Sequence, residues 1–206
     1  MIENLKVYGL EESVKASKYP MAVDINKCTS EVTPTTTKLA TSKKGEGHDN
    51  WLNGVVVQFD LTFSLKAWTE MQRYHFIDFV SSQSTMHRIT KFDIESQCNE
   101  YVDKDILKIL KNKVEAYNTY SQWLNEHRKN MTTETIKQNE QNLKDGYLNI
   151  LYNIPTGFQL TARMTTNYRQ LKTIYAQRKN HRLKEWRDFC EELKSLPHSE
   201  WITGEI

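Results

Sequence analysis

The stretch Phe158–Lys179 reads FQLTARMTTNYRQLKTIYAQRK. It holds a strand, a cap and a helix, in that order. Phe158, Leu160, Ala162 and Met164 alternate with polar residues over Phe158–Thr165, the period-two pattern of a strand with one face in a core. Pro155 and Gly157 make the turn before it. Asn167 then offers a side-chain oxygen to the unsatisfied N–H groups that open a helix. That helix runs Tyr168–Lys179 with Leu171, Ile174 and Tyr175 facing inward. After a break at Asn180–Arg182, a last helix over Leu183–Leu196 puts Trp186, Phe189, Cys190 and Leu193 on one face.

A second strand is expected over Val55–Phe63 (VVVQFDLTF), which is β-branched and partly alternating. Leu65, Trp68, Met71, Phe76 and Phe79 suggest one amphipathic helix over Ser64–Phe79. Near the start, Asn4–Leu10 reads as a short strand closed by Gly9, and Glu11–Lys18 as a helix. Asn26–Glu46 reads as a Thr-, Ser- and Lys-rich loop with one short helix around Thr35–Ser42. Two long apolar stripes follow mid-chain. Ile106, Leu110, Val114, Tyr117 and Leu124 lie within Lys104–Arg128, and Ile136, Leu143, Tyr147, Ile150 and Leu151 lie after a break at Asn130–Thr133. They predict an antiparallel helical pair. The sum is an α+β fold: a small mixed or antiparallel sheet packed with several long helices, expected as a single domain over 1–206.

Composition narrows the function classes. The chain has 206 residues, 38% hydrophobic and 26% charged, with a formal net charge of +2. That supplies a real core and no global basic field for bulk nucleic-acid binding. No stretch reads as a secretory leader or a membrane span. Cys28, Cys98 and Cys190 are scattered and odd in number, which suggests a reducing, cytoplasmic setting and no zinc site.

Two segments carry candidate chemistry. Gln72–Arg88, QRYHFIDFVSSQSTMHR, is expected to leave the Ser64–Phe79 helix for a hydroxyl-rich turn ending in His87 and Arg88. Backbone N–H groups, hydroxyls and a guanidinium in that order suit an anionic ligand. The plainer reading is a polar helix end with Arg88 offsetting the helix dipole. The other segment crowds Arg169, Lys172, Arg178, Lys179, Arg182, Lys184 and Arg187 near Glu185, Asp188, Glu191 and Glu192. It reads equally as a basic face for nucleic acid, a solvated ion-paired face, or a compact phosphate site.

The order of these motifs resembles the flavin-dependent thymidylate synthases over nearly the whole chain. Gly47-His48-Asp49-Asn50 precedes a strand, as that family's Gly-His-x-Ser element does. Tyr74-His75-Phe76 followed by Ser81-Ser82-Gln83-Ser84-Thr85-Met86-His87 stands at its signature. There, His75 and Ser84 match strictly in one register; a one-residue slide instead pairs Ser82, Gln83, Thr85 and His87 with the family pattern, and both registers stay open. Ile154-Pro155, the strand, Asn167-Tyr168-Arg169-Gln170-Leu171 and Arg178 are similar to its C-terminal block.

The resemblance implies an enzyme that methylates dUMP to dTMP, with FAD as cofactor and NADPH and methylenetetrahydrofolate as co-substrates. It implies a homotetramer that needs no cysteine nucleophile. By the match, Ser84, His87 and Arg178 serve catalysis. Gln72, Ser82, Gln83, Ser84, Arg88 and Arg178 serve the nucleotide, and His48, Asn50, His75, Asn167 and Arg169 serve FAD; no metal is implied. The departures are Tyr74 and Phe76 in place of two arginines, Asn53 for a glutamate, Met86 or His87 for an arginine, and Leu148–Leu151 where an acidic-basic element stands. They open two alternatives: a paralogue that modifies another pyrimidine nucleotide, by hydroxymethylation for instance, or an inactive one. A non-enzymatic basic helical module for nucleic acid is the remaining alternative.

Overall fold

The computed structural model describes residues 2–43 and 45–204. Lys44, inside the expected Asn26–Glu46 loop, lies outside them. In chain order the elements are β1 (Ile2–Tyr8), α1 (Leu10–Ala16), α2 (Pro34–Ala40), β2 (Val56–Ser64), α3 (Leu65–Met71), β3 (Asp78–Ser82), α4 (Thr85–Arg88), α5 (Lys104–His127), α6 (Thr133–Leu151), β4 (Gln159–Asn167), α7 (Tyr168–Arg178), α8 (Lys184–Glu192) and α9 (Glu200–Thr203). The fold is α+β, with one four-stranded sheet ordered β1-β2-β4-β3. Both outer pairings are antiparallel. The central pairing is too: Val55 O accepts from Tyr168 N, and Thr62 meets Thr161 seven residues further along one strand and seven back along the other.

The residues group into two compact units, 1–63 with 69–82 and 161–206, and 64–68 with 83–160. In the first, period two decides the core. Val57, Phe59 and Leu61 of β2 and Ala162 and Met164 of β4 are buried, while their neighbours are half-exposed. The pairing register sets Phe59 opposite Met164 and Leu61 opposite Ala162, one face. Phe59 and Phe63 pack on Phe189, and Phe63 meets Trp186 edge-on at 5.2 Å. The expected apolar face of the last helix is therefore the lid of this core. In the second unit α5 and α6 run antiparallel: Lys113 reaches Asn149, Tyr117 packs on Tyr147, and Arg128 reaches Glu140.

One expectation fails. The helix foreseen over Ser64–Phe79 stops at Met71, and Phe79 lies in strand β3. The step from Met71 to Phe76 is five residues, which no helical face accommodates. Phe76, Ile77, Phe79 and Val80 are aromatic or β-branched and prefer an extended chain. β3 is an edge strand, exposed at every residue. Gln83 and Ser84 thus follow a strand end and lead into the short α4, rather than closing a helix; Ser84 is its N-cap but makes no side-chain capping bond.

The first unit also relies on a close backbone approach. Gly9, with φ of 68°, opens α1, and a Cβ there would sit 2.6 Å from Gly54 O. Gly9→Ala therefore combines a left-handed backbone with a clash against a main-chain atom. The expected loss is about 2 kcal/mol or more, read as a lowered denaturant midpoint. A neutral or stabilised variant would contradict that geometry.

Ionisation adds a pH dependence at the β1–β2 edge. Asp60 accepts from Asn4 Nδ2 at 2.6 Å and pairs with Arg163 at 3.3 Å. The Asn4 bond and the Arg163 charge hold its carboxyl below the usual value of 3.8. A depressed carboxylate contributes stability above its unfolded pKa and loses it as pH falls through the folded one. Acid titration below about pH 4 should destabilise the wild type more than Asp60→Asn, and equal acid profiles would count against the link.

Candidate functional site

Asp49 is the anchor of the most ordered polar cluster. It is 4% exposed. Its Oδ1 accepts from Arg169 Nε at 3.2 Å and its Oδ2 from Lys172 Nζ at 2.9 Å. Lys172 Nζ also donates to Ala40 O and Ser42 O, each at 2.7 Å, so all three of its protons have acceptors. The Ala40 contact sets a cation at the C-terminal end of α2. Arg169 and Lys172 share one face of α7 at i, i+3 spacing. α7 begins where expected, because Asn167 Oδ1 accepts from Gln170 N at 3.0 Å.

This arrangement brings most of the residues expected to meet FAD, His48, Asn50, Asn167 and Arg169, into one neighbourhood. His48 and Asn50 flank Asp49 in sequence, and both are exposed with no side-chain hydrogen bond among the described residues. Arg169 binds Asp49 through Nε, its side chain is 35% exposed, and its Nη groups make no hydrogen bond among the described residues. Thr166 Oγ1, just before Asn167, donates to Phe76 O at 2.8 Å and so fixes the backbone beside His75.

Arg178 is held differently. Its Nε donates to Tyr74 Oη at 2.7 Å and its Nη1 to Glu70 Oε2 at 3.4 Å. Its guanidinium carbon lies 5.2 Å from the Tyr74 ring centroid and 4.8 Å from that of Trp186. Tyr74 Oη donates in turn to Gln177 Oε1 at 2.9 Å, and His181 Nε2 lies 3.1 Å from the same Glu70 oxygen. Arg178 is thereby fixed by two aromatic faces and an acid. Its Nη2 has no hydrogen-bond partner among the described residues.

The nucleotide-side residues do not gather within one unit. Gln72, Ser82 and Arg178 belong to the first; Gln83, Ser84, His87 and Arg88 belong to the second. Gln72, Ser82, Gln83, His87 and Arg88 are all exposed. The Arg169–Arg187 cations are largely spoken for. Beyond the pairs above, Lys184 meets Asp188, and Arg187 Nη1 donates to the carbonyls of His181 and Arg182. That is the ion-paired face of the plainer reading, and it weakens the case for a basic nucleic-acid surface.

Asp49, Glu70 and Trp186 were not candidates in the sequence, and Lys172 entered only as one cation of the Arg169–Arg187 cluster. Their signal is weak: two cations at i, i+3 on a half-buried helix need a counter-charge, and nothing local names it. The thiols agree with the expected absence of cysteine chemistry. Burial pushes Cys190 up to about 12 and also raises Cys98, so both stay protonated at neutral pH. Among the described residues no cluster of His, Cys, Asp and Glu suits a metal, and no helix is long and apolar enough to cross a membrane.

No protein-family model matches the sequence, and no curated protein matches it. Solved structures do match by fold. Flavin-dependent thymidylate synthase ThyX from Helicobacter pylori, complexed with FAD and dUMP, superposes with a TM-score of 0.59 at 17% identity, over 98% of each chain. A second structure of ThyX from the same organism, also with FAD and dUMP, gives a TM-score of 0.62 at 15% identity over 98% of each chain. At these identities the likeness is one of fold.

Removing the anchor should be costly. Asp49→Ala leaves Lys172 and Arg169 without their acid in a half-buried setting, and breaking such a pair is expected to cost about 2–4 kcal/mol. Thermal or denaturant unfolding would measure it. A loss under about 0.5 kcal/mol would mean the cluster behaves as an ordinary surface pair.

Proposed function

We propose that this chain is a flavin-dependent enzyme acting on a pyrimidine mononucleotide, and that its reaction is the reductive methylation of dUMP to dTMP with methylenetetrahydrofolate, FAD and NADPH. The observation that carries the reading is the full-length fold likeness to two proteins solved with FAD and dUMP. The motif order supports it, because the Gly47–Asn50 element and the Asn167–Arg169 block are tied together through Asp49.

The donor set suits a flavin dinucleotide. The Nη groups of Arg169 can clamp phosphate oxygens, and the exposed His48, Asn50 and His75 can meet ring carbonyls or hydroxyls. A bound flavin supplies the hydride chemistry. The chain's own work is positioning and charge stabilisation. Arg178, oriented by Tyr74 and Glu70, offers Nη2 to the nucleotide phosphate. Ser84 and Gln83 donate from the β3–α4 connection, while Gln72 and Ser82 border the same ligand. His87 and Arg88 supply the cation that draws negative charge toward the pyrimidine carbonyl. The family resemblance adds a homotetramer whose sites are assembled between copies of the chain.

A second reading is an assembly that retains the ligands without the one-carbon step, or that transfers another one-carbon group. The tight hold of Glu70, Tyr74 and Trp186 on Arg178 favours it. A guanidinium already neutralised and stacked contributes less to a substrate phosphate.

The deciding measurement is the visible spectrum of the purified protein, followed by FAD titration with and without dUMP. A yellow protein, or FAD binding promoted by dUMP, is expected. A colourless protein that binds no FAD under either condition would remove the proposal. In Arg178→Ala, dUMP affinity should fall by roughly tenfold or more, the cost of one charge-assisted clamp. Unchanged affinity would put the phosphate elsewhere. Ligand binding with neither NADPH oxidation nor a methylated product would select the second reading.

A further inference from the structure

Another feature of the second unit, which shares only His87 with this reading, goes beyond it. α4, the turn after it and the α5–α6 hairpin enclose an open cavity of about 720 Å³. That volume falls within the roughly 300–1,000 Å³ of small-molecule sites. Its floor is apolar and aromatic. Tyr117, Tyr147 and Leu151 are half-buried there, and the two tyrosine rings meet edge-to-face at 5.4 Å. Three potential cations also line it: His87 from α4, Lys91 from the following turn and Lys144 from α6.

The charge arrangement is the informative part. Among the described residues no carboxylate lines this cavity; Glu126 lines the neighbouring one, which shares Lys91, Asn118 and Ser121. His87, Lys91 and Lys144 make no ion pair among the described residues, whereas Lys111, Arg128 and Lys184 all have acids within reach. Cations drawn from three separate segments repel one another around an apolar floor unless an anion joins them. A flat ring has somewhere to lie, and an acid group has donors at the edge.

We propose that this cavity is a binding site for a small aromatic anion, a carboxylate or phosphate ester on a flat ring, with the ring against Tyr117, Tyr147 and Leu151 and the acid group between Lys91 and Lys144. Lys91 and Lys144 have no part in the proposed nucleotide and flavin sites.

The test is calorimetric titration of the protein alone, without flavin, using four probes: phenyl phosphate, benzoate, inorganic phosphate and phenol. One of the two aromatic anions should bind at least tenfold more tightly than either inorganic phosphate or phenol, and its affinity should fall as salt rises. The tighter of phenyl phosphate and benzoate assigns the acid group. The double variant Lys91→Gln, Lys144→Gln should lose roughly tenfold or more. Ser121→Phe, which sets a ring into the lining, should block binding independently, and Lys137→Gln, outside the lining, should leave it unchanged. Circular dichroism and melting check that each variant folds. Aromatic anions bound no better than inorganic phosphate, or affinity untouched in the double variant, would overturn the proposal. Because the protein is titrated without flavin, failure to bind FAD or dUMP leaves this result readable on its own terms.

Discussion

The buried carboxylate of Asp49 is the constraint on which the first unit's polar architecture rests. It joins the loop before β2 to α7, the helix that continues directly from β4. Without it, Lys172 would still hold the carbonyls of Ala40 and Ser42, but the loop bearing His48 and Asn50 would lose its tie to Arg169. Burying a carboxylate and an ammonium together gives little net stability once desolvation is counted. What such a cluster gives is position, since each oxygen and each proton has one assigned partner. A loop that carries exposed donor side chains gains most from that kind of anchoring.

Arg178 shows how the same residue type serves another end. Arg169 uses one nitrogen on Asp49 and keeps two pointing away from it. Arg178 lies against Tyr74 and Trp186, whose rings also meet each other at 5.8 Å, and is bound to Glu70. The ring and the hydroxyl of Tyr74 both hold Arg178, so one side chain supplies an aromatic surface and a hydrogen-bond acceptor. An engaged arginine is better oriented and less available, and the two consequences act on ligand affinity in opposite directions.

The sheet and the long helices were legible because one period governs each. Alternation along residues 56–63 and Gln159–Asn167 matches the observed burial, and the stripes of α5, α6, α7 and α8 lie as read except at Ile106, which is exposed at the start of α5. Asn167 was legible as a cap because capping is local chemistry. Phe76 and Phe79 misled because large apolar residues fit a helix or a strand, and here Phe76 lies exposed in the turn before β3 and Phe79 exposed on that edge strand, where burial constrains neither. The polar cluster was half legible. The Gly47–Asn50 element drew attention to His48 and Asn50, while Asp49, the buried member, was hidden because its partners lie 120 and 123 residues away.

That asymmetry bears on what sequence divergence does to a fold of this kind. At 15–17% identity the fold likeness still extends over 98% of each chain. A fold depends on patterns that many residues satisfy. Charge clusters depend on particular pairs, as Arg178 does on Glu70 and Asp49 does on Arg169 and Lys172. In this chain, the lining of the α5–α6 cavity and the held Arg178 are features of this kind. Its chemistry must therefore be read from the partners these side chains have here, more than from the scaffold that carries them.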